Sequence, residues 1–361
     1  MAPSAARFNF VHHSNQSPLR RPILLSTFKE VFYQHGTVVG RFFFAILKTL
    51  DSFILTLPAS SLERISVDVG HHTMPREHYK YSFSSIVLRC GPSFTEYNSP
   101  VPLPNATLDH LVQLPHLRTW RIHGPPPTYA ASSLPPVFPP LREFTLGKGA
   151  ACGWLPLLRR LEDRAATPQG VKPLSKAKES LKILNIEDIS CISIDAPIVS
   201  TIQFFRNLVK LNVEACCRDT CEGQCIFELN NVNELAMALT QLEFLLLGRT
   251  CLKNTCLTTV VCLFLISVHC SKLRKLEIHF NTTNIVDDFK NILEDPRSQR
   301  LPRCPLTCLD VFRTPLNLDE SGLETVKGMI DIFPSLKRYE GLGRKWDELP
   351  KEIADLQEDS E

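Results

Sequence analysis

A short apolar phrase, Leu-x-x-Leu-x-Leu in loose form, returns along the whole chain. Clear copies are Leu62-Ile65-Val67, Leu117-Trp120-Ile122, Leu141-Phe144-Leu146, Leu181-Leu184-Ile186, Leu208-Leu211-Val213, Leu242-Leu245-Leu247, Leu273-Leu276-Ile278 and Leu306-Leu309-Val311. Looser copies are read at Phe83-Ile86-Leu88 and Leu336-Tyr339-Gly341, and the first members stand 21 to 40 residues apart. The fourth and sixth positions, two residues apart, share one face of a short strand, and the residues between them face the other way. Between copies the spacing turns helical, as in Val232, Leu235, Ala236 and Leu239, in Val260, Leu263, Phe264 and Val268, and in Leu323, Val326, Met329 and Ile330.

Strand, turn, helix and strand again with short links predict a parallel sheet backed by helices. A doubly wound α/β domain also alternates in this way. It gives no reason for each strand to open on the same phrase, often just after Leu-Pro or Phe-Pro (Leu114-Pro115, Phe138-Pro139, Phe333-Pro334). The expected fold is therefore a leucine-rich-repeat-like α/β solenoid, a curved parallel sheet of about ten strands backed by helices. Its expected organisation is a flexible segment over 1–37, the solenoid over 38–346 and an acidic tail over 347–361. Residues 38–57 carry Phe42, Phe43, Phe44, Ile46, Leu47, Leu50, Phe53 and Ile54 at helical spacing, and are read as an N-terminal cap helix.

Composition narrows the function classes. Of 361 residues, 43% are hydrophobic and 22% charged, with a formal net charge of +2, ordinary for a soluble protein and too balanced for a nucleic-acid binder. The longest apolar run, Thr258 to His269, is too short for a membrane span. With no secretory leader visible, the expected location is the cytoplasm or nucleus, and the thirteen cysteines read as reduced packing and loop residues. Cys216, Cys217, Cys221 and Cys225 are the candidate metal ligands. Their spacing lacks the two close pairs of a structural zinc site, so no metal or other cofactor is expected.

Catalytic motifs are missing as well. Gly147-Lys148-Gly149 and Gly341-Leu342-Gly343 lack the full phosphate-loop pattern, and no Gly-x-Ser-x-Gly elbow occurs. A non-catalytic role is expected. The outward residues of the strands then hold the interest, between the buried fourth and sixth positions and one step beyond them. Arg121, His123, Asn185, Glu187, Asn212, Glu214, Glu277, His279, Asp310 and Phe312 are the candidate partner-binding residues on the concave sheet face. Lys275 and Arg338 lie two residues before Glu277 and Glu340, and Lys210 four before Glu214, so a self-neutralising ladder of charges is the competing reading.

The stretch from Val213 to Trp346 resembles the F-box/leucine-rich-repeat-like proteins of mushroom-forming fungi. The resembling residues run Cys225-Ile226-Phe227-Glu228-Leu229, Leu242 to Gly248, Cys251-Leu252-Lys253-Asn254-Thr255-Cys256, Ser267-Val268-His269-Cys270 and Leu276 to Asn281. They close on Ile332-Phe333-Pro334-Ser335-Leu336 and Trp346. The resemblance implies a substrate-receptor-like module of a cullin-type ubiquitin ligase, whose F-box docks on the ligase adaptor while the repeats select a protein substrate. The opening Leu-Pro-x-Glu of an F-box is not found: Leu57-Pro58 is followed by Ala59-Ser60-Ser61. A repeat scaffold or inhibitor unconnected to ubiquitin is the alternative.

Overall fold

The computed structural model describes residues 9–11, 30–35, 62–69, 84–99, 103–123, 139–149, 176–190, 196–216, 229–248, 259–279, 284–294, 304–311 and 328–340. By its internal contacts the chain divides into two compact units: Met1–Gly147 with Asp163–Ser180, and Lys148–Glu162 with Leu181–Glu361. Each is an α/β unit of parallel strands.

In the first unit the strands are β1 (Asn9–Val11), β2 (Glu30–His35), β3 (Arg64–Val69), β4 (Glu96–Ser99), β5 (Thr119–His123) and β6 (Glu143–Gly149). Each pairs in parallel with the next in chain order. Helices α1 (Asn105–Gln113) and α2 (Lys176–Ser180) belong to this unit. The second unit holds β7 (Ile183–Ser190), β8 (Lys210–Cys216), β9 (Phe244–Leu247), β10 (Lys275–Ile278), β11 (Cys308–Asp310) and β12 (Arg338–Glu340), again parallel and in chain order. Its helices are α3 (Ala196–Ile202), α4 (Leu229–Ala238), α5 (Val260–His269) and α6 (Ile285–Glu294), and consecutive ones pack side by side.

The phrase explains this regularity. Its first, fourth and sixth residues form the core: Leu208, Leu211 and Val213 are fully buried, as are Leu273 and Leu276, while Leu242, Leu245 and Leu247 are nearly so. Burying each such side chain contributes about 1.5–3 kcal/mol. Backbone bonds then lock the register. The carbonyl at the second position accepts the N–H groups of the second and third positions of the next copy. Lys182 O takes Val209 N and Lys210 N, Val209 O takes Glu243 N and Phe244 N, and Glu243 O takes Arg274 N and Lys275 N. The series continues from Arg274 O to Thr307 N and Cys308 N, and from Thr307 O to Lys337 N and Arg338 N.

A second recurring bond ends each helical segment. The N–H of the first phrase residue donates to the carbonyl three residues back: Leu117 to Leu114, Leu208 to Phe205, Leu242 to Leu239, Leu273 to Cys270 and Leu336 to Phe333. Each of these acceptor residues is buried, which is why an apolar residue, often followed by proline, precedes each copy. Cys270 occupies that slot, and Cys304, two residues before Leu306, is likewise buried ahead of the next copy. Both are packing residues there.

Two expectations are corrected. The copy read at Phe83-Ile86-Leu88 is no strand: residues 84–88 are helical, and Val87, expected to face outward, is fully buried. The strand lies at β4, where Phe94-x-x-Tyr97-x-Ser99 plays the part of the phrase with all three residues fully buried. Aromatic and small residues serve because the strand needs bulk and shape at these positions, not leucine. With Phe94 in place of Phe83, the spacings around it become 32 and 23 residues (62 to 94 to 117). The second correction is at the start of the chain, where β1 and β2 fall within the stretch expected to be flexible. Glu-Val-Phe-Tyr-Gln-His is β-favouring without leucine, and it pairs with β3 along six residues. The cap helix expected over 38–57 and the acidic tail over 347–361 lie outside the described residues.

Candidate partner-binding face

In the second unit the ladder registers fix which outward residues stand side by side. Asn185 is opposite Asn212, Asn212 opposite Leu246, Leu246 opposite Glu277, Glu277 opposite Asp310, and Asp310 opposite Glu340. Two residues earlier on the same strands runs a parallel row: Ile183, Lys210, Phe244, Lys275, Cys308 and Arg338. Neighbouring strands are about 4.8 Å apart, so side chains in one row touch across the ladder.

The geometry centres on Phe244. Lys210 Nζ lies 4.9 Å from the centroid of its ring and Lys275 Nζ lies 5.3 Å from it. The ring's negative faces attract both ammonium groups, each contact contributing about 0.5–1 kcal/mol where water has access. Lys275 Nζ is also 2.6 Å from Glu277 Oε1. The partners differ in exposure, with 40% of the Lys275 side chain exposed and 8% of that of Glu277. Beside them Leu246 is buried, giving the middle of the face an apolar floor.

Asn185 and Asn212 are buried to 7% and 8% exposure. Asn212 Oδ1 is covered and has no hydrogen-bond partner among the described residues. An unsatisfied buried acceptor costs about 1–3 kcal/mol. Further along the strands, Glu187 and Glu214 are half-buried, and β7 carries a register shift between Ile186 and Ile189. His279 is buried, and that desolvation pulls its pKa below the ordinary histidine value.

The first unit handles its outward residues differently. Arg121 is committed to Glu143 on the next strand, with Nε at 2.9 Å and Nη2 at 2.8 Å from the same Oε1. Asn98 Nδ2 donates to Ser66 Oγ at 3.1 Å, and Arg64 lies 3.9 Å from Glu96. His123 stands in register with Gly147, and its side chain lies outside the described residues, as do Phe312 and the candidate metal ligands Cys217, Cys221 and Cys225. Cys216 ends β8.

Of the ten candidate residues, Asn185, Asn212, Glu277 and Asp310 therefore share one row, with Leu246 between Asn212 and Glu277, and Glu187, Glu214 and His279 lie further along the same strands. Arg121 and His123 belong to the other unit. Sequence reasoning missed the ring between the two lysines. Acids further along the same strands, Glu214 and Glu277, draw attention away from it, although the third phrase position reads Lys210, Phe244, Lys275 in consecutive copies.

Among the described residues no group of His, Cys, Asp or Glu is placed to hold a metal ion, and no helix is long and apolar enough to cross a membrane. No protein-family model matches the chain, and no curated protein matches it.

Proposed function

We propose that this chain is a leucine-rich-repeat-like recognition module that binds a protein partner on the outward face of its strands, without catalysis, and that it acts as a substrate receptor related to F-box proteins of cullin-type ubiquitin ligases. One observation carries the recognition part: the in-register rows on β7 to β11 set an aromatic ring, an apolar floor, side-chain amides and charges of both signs next to one another. Such a mixture suits protein contacts, where aromatic and apolar anchors give affinity and polar neighbours give specificity. The ligase connection is supported by the resemblance over Val213 to Trp346. The second reading, a scaffold or inhibitor without ubiquitin, is favoured by Ala59-Ser60-Ser61 standing where an F-box carries its acidic residue.

The test is photocrosslinking in cells. A benzophenone amino acid placed at Phe244 or Cys308, on the outward face, is expected to trap a protein partner, while the same group at Met237, exposed on α4, traps none. Equal trapping at both places, or none at Phe244 and Cys308, rejects the proposed face. Recovery of the cullin adaptor with the trapped complex supports the receptor reading, and trapping without the adaptor supports the scaffold.

A further inference from the structure

Charge on the second unit is segregated by position along the strands. At the entry ends, the second and third phrase positions hold Lys182, Lys210, Arg274, Lys275, Lys337 and Arg338, against the single acid Glu243. From the fifth position onward the sign reverses, with Glu187, Glu214, Glu277 and Asp310. Arg274, Lys337 and Arg338 are exposed. The ring of Phe244 holds two of the cations in place at 4.9 and 5.3 Å, so less side-chain freedom is lost when an anion meets them.

We propose that this entry-end band is the docking site for an extended acidic peptide segment of a protein partner, with Asp or Glu side chains meeting Lys210 and Lys275 where they flank Phe244. The inference rests on the recognition reading above and names the chemistry of what is recognised. Three features select this occupant. Six cations, of which Lys275 is also paired with Glu277, against Glu243 as the band's own acid leave a net positive charge that calls for a negatively charged ligand. Five steps between six strands at about 4.8 Å make a track of about 24 Å, the reach of roughly seven extended residues. The acids directly beside the band repel a continuous polyanion, so spaced carboxylates fit where an unbroken phosphate chain does not.

The experiment pans a display library of random dodecapeptides against the full-length chain. The most enriched peptide is then titrated by fluorescence anisotropy, beside its Lys-for-Glu twin and a single-stranded oligonucleotide. The expected result is enrichment of peptides rich in Asp and Glu whose affinity falls with salt. Lys210→Glu and Phe244→Ala should each weaken binding roughly tenfold, while Lys210→Arg, which keeps the charge, stays within about twofold. Unchanged thermal unfolding of the variants separates lost docking from lost folding. Enriched peptides that are not acidic, or that bind both weakening variants as well as the natural chain, overturn this site and leave recognition standing on another surface. Preferential binding of the oligonucleotide with the same variant pattern overturns the peptide in favour of nucleic acid. If no peptide enriches, the inference fails, and crosslinking at Phe244 decides separately whether the face recognises any protein.

Discussion

Gly328 faces the ring of Phe289 so closely that a Cβ at position 328 would stand 2.6 Å from Phe289 Cγ. Phe289 is a buried residue of α6, and Gly328 lies in a helical segment described from 328 to 332. The missing side chain therefore sets how near these two elements approach. Gly328→Ala should gain about 1 kcal/mol in helix propensity and lose about 1–3 kcal/mol to overpacking. Because the clash falls on the root of the ring, which cannot swing away, the loss should win. A lower urea midpoint is expected, restored in part by adding Phe289→Leu. If Gly328→Ala alone raises the midpoint, the close approach is wrong.

The Lys275–Glu277 pair should respond unequally to truncation. Glu277 is almost covered, whereas two-fifths of the Lys275 side chain meets water. Glu277→Ala leaves a hydrated ammonium still resting on Phe244, at a cost below about 1 kcal/mol. Lys275→Ala strips its cation from a mostly buried carboxylate and should cost about 1–3 kcal/mol. Chemical denaturation of the two variants checks the order, and equal losses would show that both groups are equally solvated.

Cys90 and Cys270 should be silent thiols in the folded protein. Burial pushes both up to about 12 from an ordinary 9.0, with Cys304 adding to the effect at Cys270. Iodoacetamide at mildly alkaline pH attacks the thiolate, so both should stay unlabelled until denaturant is added, while half-buried Cys308 labels sooner. The sign of the linkage follows from the raised values. The stabilisation is fully present below the unfolded value of 9.0 and is lost as pH rises from there towards about 12. Mass spectrometry of the alkylated native chain is the check, and rapid labelling of Cys270 would show its slot is not closed.

Most of the strand ladder was legible because its determinant is local. Three apolar positions at fixed offsets both fill the core and place the backbone for pairing, so Leu208-Leu211-Val213 and its sister phrases announce β8 to β11 directly. β4 escaped because Phe94, Tyr97 and Ser99 satisfy the same packing with other residue types, while Ile86 and Leu88 imitate the phrase inside a helix. β1 and β2 escaped because Asn9–Val11 and Glu30–His35 contain no leucine. The candidate face was half legible. Alternation marks Asn185, Asn212, Glu277 and Asp310 as outward, but which residue meets which depends on register between strands about 30 residues apart. The Lys210–Phe244–Lys275 stack exists only at that level, as does the commitment of Arg121 to Glu143.

His279 should make the second unit acid-sensitive. It stands one residue past Ile278 at the end of β10, buried to 7% exposure, and desolvation holds its pKa below the ordinary 6.5. The neutral ring is thus the form that fits the fold. A lowered folded value means that the stability is present above the unfolded pKa of 6.5 and is lost as pH falls through the folded value, because only the unfolded chain readily takes up the proton. One proton limits the slope to about 1.36 kcal/mol per pH unit. Urea midpoints followed from about pH 8 to about pH 5 should therefore decline below 6.5 in the natural chain and decline less steeply in His279→Gln. Parallel declines in the two proteins would assign the acid sensitivity to carboxylates instead, and would remove His279 from the groups that tie this face to pH.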